Sequence, residues 1–184
     1  MSRVIAVIGI AALLFVAMWQ LGQAGLLAAK AWAAPILLEY AFDMSEQTRQ
    51  PVRPWPWADS YPIMRMAVPR LQTERFILSQ SNMRNLAFGP TLQVYGKHQV
   101  MFGHRDTHFN FLKNLTLKDE ILVTPVGQNI TRWQVMDLRI MDADDLYVPD
   151  QSQDRLILLV TCYPFDGITE NSDLRYVVRL KEVV

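Results

Sequence analysis

A chain of 184 residues, 51% hydrophobic and 10% aromatic, is long enough for one cored domain of about 100 to 150 residues plus an appendage, and too apolar to be disordered. Eighteen basic and eighteen acidic residues cancel, so the charge gives no support to a nucleic-acid partner. The single cysteine, Cys162, excludes an internal disulfide and leaves a buried filler, an intermolecular bridge or a reactive thiol.

After Met1-Ser2-Arg3 no formal charge occurs from Val4 to Ala29. The most apolar part, Val4 to Leu21, is about 27 Å of helix, and its uncharged continuation lets it cross a hydrocarbon core of ~30 Å. Residues 1–22 are therefore expected to form a single membrane-spanning anchor. The rival is a cleaved signal peptide, because Ala31-Trp32-Ala33 is a small-x-small site, but it lies far beyond the apolar run. An ordinary core helix is out of place at the N-terminus of so small a domain. Charge alone orients the helix weakly, with Arg3 on one side and Lys30, Arg49 and Arg53 on the other.

Residues 23–62 read as a helical and Pro/Trp-rich linker. Ala24 to Gln47 favours a helix or helical pair, broken or kinked near Pro35. Pro51 to Pro62, with Pro54-Trp55-Pro56-Trp57-Ala58-Asp59 inside it, cannot be helix and enters the domain extended. Packing on the domain is the commoner fate for its two tryptophans, and a place near lipid headgroups the alternative.

From residue 63 to 184 the texture is β. Candidate strands are Met64–Val68, Phe76–Ser79, Gln99–Gly103, Glu120–Thr124, Thr131–Met136, Arg139–Asp142, Leu156–Thr161 and Leu174–Lys181. Breaks fall at Gly89-Pro90, at Pro125 with Gly127, at Pro149-Asp150 and over Pro164 to Asp173. Brief helical pieces are expected at Asn82–Ala87, Phe109–Leu115 and Asp144–Leu146. Many short strands at this spacing indicate a mainly β domain, a closed or nearly closed antiparallel barrel.

A lone cysteine at the end of an apolar strand is most often a small hydrophobe. Here the run Leu156 to Thr161 brings Cys162 to the edge of the core, and a loop then leads to a strand carrying Arg175, which can return antiparallel beside it. A guanidinium within reach of a thiol at a strand end suits a nucleophile. Arg179 shares Arg175's face, but Arg175 lies nearer the start of its strand. His104 follows a strand ending in Gly103, whose missing side chain lets backbone or ligand come close. The same string, His104-Arg105-Asp106-Thr107-His108, has the H-x-D-x-H look of a metal cluster. A hydrolytic zinc site would need further ligands, and the only other histidine is His98. No EF-hand-like acidic spacing occurs, so no metal or cofactor is expected. His98 and His108 read as surface or supporting residues.

These segments together resemble the sortases. That family's signature is a strand ending T-L-x-T-C, and Leu158-Leu159-Val160-Thr161-Cys162 matches its Leu, Thr and Cys, with Leu158 departing at the first position. Arg175 stands on the next strand and His104 after a strand upstream, as in sortases. The strings Gly103 to Phe109, Thr161 to Asp166 and Pro54 to Asp59 are similar to the proteobacterial branch called class GN, or marine proteobacterial sortases.

The resemblance implies an eight-stranded β-barrel and a transpeptidase outside the cytoplasmic (inner) membrane, facing the periplasm or cell exterior. Its substrate would be a protein with a C-terminal LPXTG-like sorting signal and its acceptor an amine. It implies Cys162 as nucleophile through a thioester, His104 as general acid and base, and Arg175 as substrate and oxyanion ligand. Thr161 is expected to support the site through its hydroxyl, and Asp106 to orient His104 or cap the following helix, capping being the commoner role. A thiol peptidase or hydrolase with the same residues, and a non-catalytic membrane-anchored adaptor, are the alternatives.

Overall fold

The computed structural model describes residues 2–146, 154–165 and 173–183, apart from the side chains at 2–6, 8, 11 and 26–31. One helix, α1 (Ser2–Thr48), precedes eight strands: β1 (Pro62–Val68), β2 (Thr73–Leu78), β3 (Thr91–Tyr95), β4 (His98–Phe102), β5 (Glu120–Pro125), β6 (Thr131–Asp142), β7 (Leu156–Cys162) and β8 (Leu174–Val183). A short helix, α2 (Met83–Leu86), and two 3-10 turns, Pro69–Leu71 and Asn110–Asn114, interrupt them. The chain forms two compact units, Met1–Ile36 and Leu37–Val184.

The strands close into a barrel in the order β1-β2-β3-β4-β7-β8-β6-β5. Closure leaves no free sheet edge. The expectation of a wholly antiparallel barrel needs correction, because β2 meets β3 and β4 meets β7 in parallel. The first join follows the connection through α2, and the second is between strands separated in the chain by β5 and β6.

Alternation along each strand fills the interior. In β1, Pro62, Met64, Met66 and Val68 are buried while the residues between them are partly exposed. Met64, Met66, Ile77, Met101, Ile121, Val123, Trp133, Val135, Ile157, Leu159, Val178 and Leu180 belong to one core. Phe109, Phe111, Leu112 and Leu115, from the segment after β4, join the same core. β7 is buried on both faces: Ile157 and Leu159 face the interior, whereas Leu156, Leu158 and Val160 form an outer cluster with Val100 and Val177. That double burial is why β7 reads as an unbroken apolar run.

The last turns of α1 belong to the barrel unit. Leu38, Ala41, Phe42 and Ser45 are buried, the spacing of one helix face. The Phe42 ring lies 5.5 Å from that of Phe76, with the Arg65 guanidinium 5.6 Å from its centroid. Glu46 accepts a hydrogen bond from the Gly127 amide at 2.7 Å. Arg49, in the left-handed region at φ 57°, and Pro51 then stop the helix.

Several local expectations change. α1 continues through Pro35, where a break or kink was expected. A proline inside a helix costs about 3 kcal/mol. Burying Leu38 and Phe42 at about 1.5 to 3 kcal/mol each offsets that cost. The expected membrane run, Val4 to Leu21, includes side chains outside the described residues, and among the described residues no helix is long and apolar enough to cross a membrane. The expected strands Thr131–Met136 and Arg139–Asp142 are one strand, β6, with a bulge between Val135 and Asp137. β3 was not expected, and Asp144–Leu146 is a turn rather than a helix. The break expected at Pro149-Asp150 lies outside the described residues, as does most of the one from Pro164 to Asp173. Trp55 packs edge-on to Phe88 at 4.9 Å, while Trp57 is 75% exposed, so only the first of the two tryptophans packs on the domain.

Replacing Phe42 by alanine should cost about 3 to 5 kcal/mol in urea denaturation, the usual price of an aromatic-sized hole. A loss below about 1 kcal/mol would mean that the end of α1 is not part of the folding unit.

Candidate active site

Because β4 and β7 run parallel, their C-terminal ends lie side by side; because β8 runs antiparallel to β7, it starts where β7 finishes. The ladders are explicit. Phe102 pairs with Val160 across β4 and β7, and Cys162 pairs with Arg175 across β7 and β8. The Gly103 amide donates to the Val160 carbonyl at 3.2 Å, and the Thr161 hydroxyl to the Gly103 carbonyl at 2.7 Å. Those two bonds carry the β4 side one step further, so the backbone of His104 comes level with Cys162. On the other side Arg175 pairs with Met141 of β6. His104, in the loop after β4, and Cys162, Arg175 and Met141 on three neighbouring strands thus form one transverse row.

Parity puts Cys162 outside the barrel. It shares its face of β7 with Leu158 and Val160, as Arg175 shares its face of β8 with Val177. Residues directly opposite on antiparallel strands have Cβ atoms about 4.5 to 5.5 Å apart, so the roots of the thiol and guanidinium side chains are neighbours. Cys162 is a free, half-buried thiol, whereas Thr161 just before it is buried. Arg175 donates to the Leu174 carbonyl at 2.9 Å. Phe102, Met141 and Leu146, partly buried, border the outer apolar cluster that leads to the thiol.

The loop carrying His104 is tightly folded. The Phe109 amide donates to the His104 carbonyl at 2.9 Å, and Asn110 donates to the Arg105 carbonyl at 3.2 Å. The fully buried Phe109 ring lies against Gly103, where a Cβ would sit 2.7 Å from Cγ of the ring. This close approach, and no backbone torsion, is why residue 103 is glycine. Arg105 reaches across to donate to the Pro164 carbonyl at 2.9 Å.

Asp106 is exposed. The 3-10 turn that follows has Phe109 at its cap position, with no side-chain cap bond, so Asp106 does not cap it. His108 is half-buried, with a ring nitrogen 3.3 Å from the Ala87 carbonyl, and its carbonyl accepts from Arg75 at 3.0 Å. Burial holds its protonation below the ordinary histidine range; Arg75 and His104 push the same way, while the Ala87 carbonyl and Asp106 oppose them. His98 is not a surface residue: it is 1% exposed at the start of β4, and neither ring nitrogen has a hydrogen-bond partner. Among the described residues no three histidine, cysteine or acidic side chains group as metal ligands.

Sequence reasoning left an aromatic cluster without a role. Tyr163 and Tyr176 stack at 6.3 Å, and Phe165 meets Tyr176 edge-on at 5.1 Å. Burial, helped by Tyr163, raises Tyr176 above the ordinary tyrosine range, so its hydroxyl stays protonated. The cluster sits behind Cys162 at the end of the barrel, and the string Tyr163-Pro164-Phe165 was its only signal in the sequence.

A family model described as the sortase domain matches residues 66–183. Sortase A from Corynebacterium diphtheriae matches at 23% identity and a TM-score of 0.60, covering 75% of this chain and 67% of that one. Sortase A of Listeria monocytogenes matches at 25% identity and 0.57, over 67% and 88% of the two chains. Sortase C-1 from Actinomyces oris matches at 25% identity and 0.55, over 68% and 76%. No curated protein sequence matches the chain significantly.

Two outcomes follow from the loop. Gly103→Ala must displace a buried ring, so it should cost about 1 to 3 kcal/mol of stability, measured in urea; an unchanged midpoint would disprove the close approach. A histidine whose folded-state pKa is lowered binds its proton more readily when unfolded. Stability is therefore complete above the unfolded value and falls as pH drops below about 6.5, until the lower folded value is passed. His108→Gln should melt with a shallower loss over that window than the parent chain, and equal slopes would remove His108 as the cause.

Proposed function

The chain belongs to the sortase family, and we propose that it is a membrane-anchored cysteine transpeptidase of the class GN branch that cleaves an LPXTG-like sorting signal and passes the acyl group to an amine. The observation that carries the reading is the transverse row, in which an imidazole-bearing loop and a guanidinium flank one half-buried thiol.

In the proposed reaction the Cys162 thiolate attacks the carbonyl carbon of the scissile peptide bond. Arg175 donates to the oxyanion of the resulting tetrahedral adduct. The carbon–nitrogen bond then breaks, His104 gives its proton to the departing amine, and a thioester remains on Cys162. An incoming amine attacks that thioester, loses a proton to His104 and displaces the thiolate, so both side chains end as they began. Water in place of the amine would make the same steps a hydrolysis. Thr161 supports the frame through its bond to the Gly103 carbonyl.

Anchoring is read from Val4 to Leu21, an uncharged run of about 27 Å as helix. Its described side chains, among them Leu13, Phe15 and Trp19, are exposed although apolar. With this helix in the inner membrane, the barrel acts on the periplasmic or exterior side, where sorting signals and acceptor amines are met.

Mass spectrometry of the full chain with an LPXTG peptide, with and without an added amine, tests the proposal. Cleavage after Thr, a peptide adduct absent from Cys162→Ala, and an amide product only when amine is present are expected. His104→Ala and Arg175→Ala should each lower turnover by at least about 100-fold. Cleavage with no amide product would make the protein a hydrolase. No adduct across varied motifs would favour the adaptor.

A further inference from the structure

We propose that Arg105 is a positioning residue, which holds the His104 loop at a set distance from Cys162. The inference rests on the reaction proposed above but on different residues. Among the described bonds between the loop and the segment carrying Cys162, two bracket both reacting groups. On one side the Thr161 hydroxyl holds the carbonyl of Gly103, the residue before His104. On the other, the Nη1 of Arg105, the residue after His104, holds the carbonyl of Pro164, two residues beyond Cys162. His104 and Cys162 therefore lie inside a closed frame of four backbone positions.

The two sides of the frame differ in what else supports them. Gly103 is already tied to β7 by its amide, which donates to Val160, and by the buried Phe109 ring against its Cα. The loop is closed on itself through Phe109 and Asn110. Beyond Cys162, among the described residues, the Tyr163 amide donates to the Leu174 carbonyl, and that bond ties the segment to β8 rather than to the histidine loop. The Arg105–Pro164 bond spans the gap on the histidine side. A bond from a charged donor is about twice as strong as a neutral one, and the planar guanidinium holds its direction better than an ammonium. Reacting groups displaced by about 1 Å can lose a hundredfold in rate, so a link next to both groups acts on turnover and not on peptide affinity.

The test compares the full chain with Arg105→Met and Arg105→Lys in two measurements. In transpeptidation of an LPXTG peptide, Arg105→Met should lower kcat by about 10- to 100-fold with KM changed less than about 3-fold, and Arg105→Lys, which keeps a charged donor, should recover at least about 5-fold of the loss. The second measurement needs no substrate. With three histidines in the chain, His104 can be assigned by its own replacement, and its ring NMR chemical shifts measured at one pH with and without Cys162→Ala. The shift caused by Cys162→Ala should be present in the parent and less than about half as large in Arg105→Met. A kcat within about 2-fold of the parent, a loss confined to KM, or an undiminished His104 shift would overturn the proposal. If Arg105→Met does not fold, Arg105→Lys carries the same comparison: a lower kcat with a smaller shift supports it, and a parental shift overturns it. A parent chain that turns over no peptide yet shows the Arg105-dependent shift would sink the transpeptidase reading and leave the positioning role standing.

Discussion

The site depends on one constraint, the register of β7 between a parallel and an antiparallel neighbour. A parallel pair brings two C-terminal strand ends together, and an antiparallel one brings an end to a beginning. With β4 on one side and β8 on the other, three distant chain positions arrive at the same end of the barrel. Sliding β7 by one residue would turn Cys162 into the interior and Thr161 out of it. What prevents the slip is the apolar content of both faces. Ile157 and Leu159 fill the barrel, Leu158 and Val160 fill the outer cluster, and Thr161 has its one interior partner in the Gly103 carbonyl.

That packing also explains why a half-buried thiol can sit beside a core. Burial runs unbroken along β7 as far as Thr161 and relaxes at Cys162, where the strand meets the loop. Cys162 thus ends the most completely buried strand of the barrel and stands where that strand stops being covered. The glycine at 103 plays the matching part on the neighbouring strand, since any side chain there would separate the histidine loop from the Phe109 ring that packs it down.

How much of this was legible in the sequence differs by element. The runs that became β1, β5 and β7 stood out because each buries an alternating or nearly continuous apolar set. β3 did not, since only Thr91 of its five residues is fully buried, and Val94 and Tyr95 are exposed. Its hairpin signal was brief: Gly96, at φ 57°, opens a two-residue turn to β4, the place where a type II′ turn takes glycine. β6 was divided in two because its bulge breaks the alternation at Met136, and a bulge is set by the partner strand rather than by local composition. The proline in α1 misled for a related reason, as the burial that outweighs it comes from residues further along the helix. For the site, the positions of Cys162, His104 and Arg175 followed from strand ends, whereas the bonds of Thr161 and Arg105 are made between segments far apart in the chain and leave no local pattern.

The electrostatics of the row favour anionic intermediates on the proposed chemistry. Arg175 stands beside the thiol in the register, Arg105 bonds behind it, and Arg75 lies under the histidine loop, while the acidic residue of that loop, Asp106, faces solvent. His108 registers this field: Arg75 and His104 both act against its protonation, in addition to burial. Burial thus disfavours a proton on His108, which is not level with Cys162 as His104 is. In the proposed cycle a thiolate, and an oxyanion in each of the two acyl-transfer steps, then find positive charge already in place.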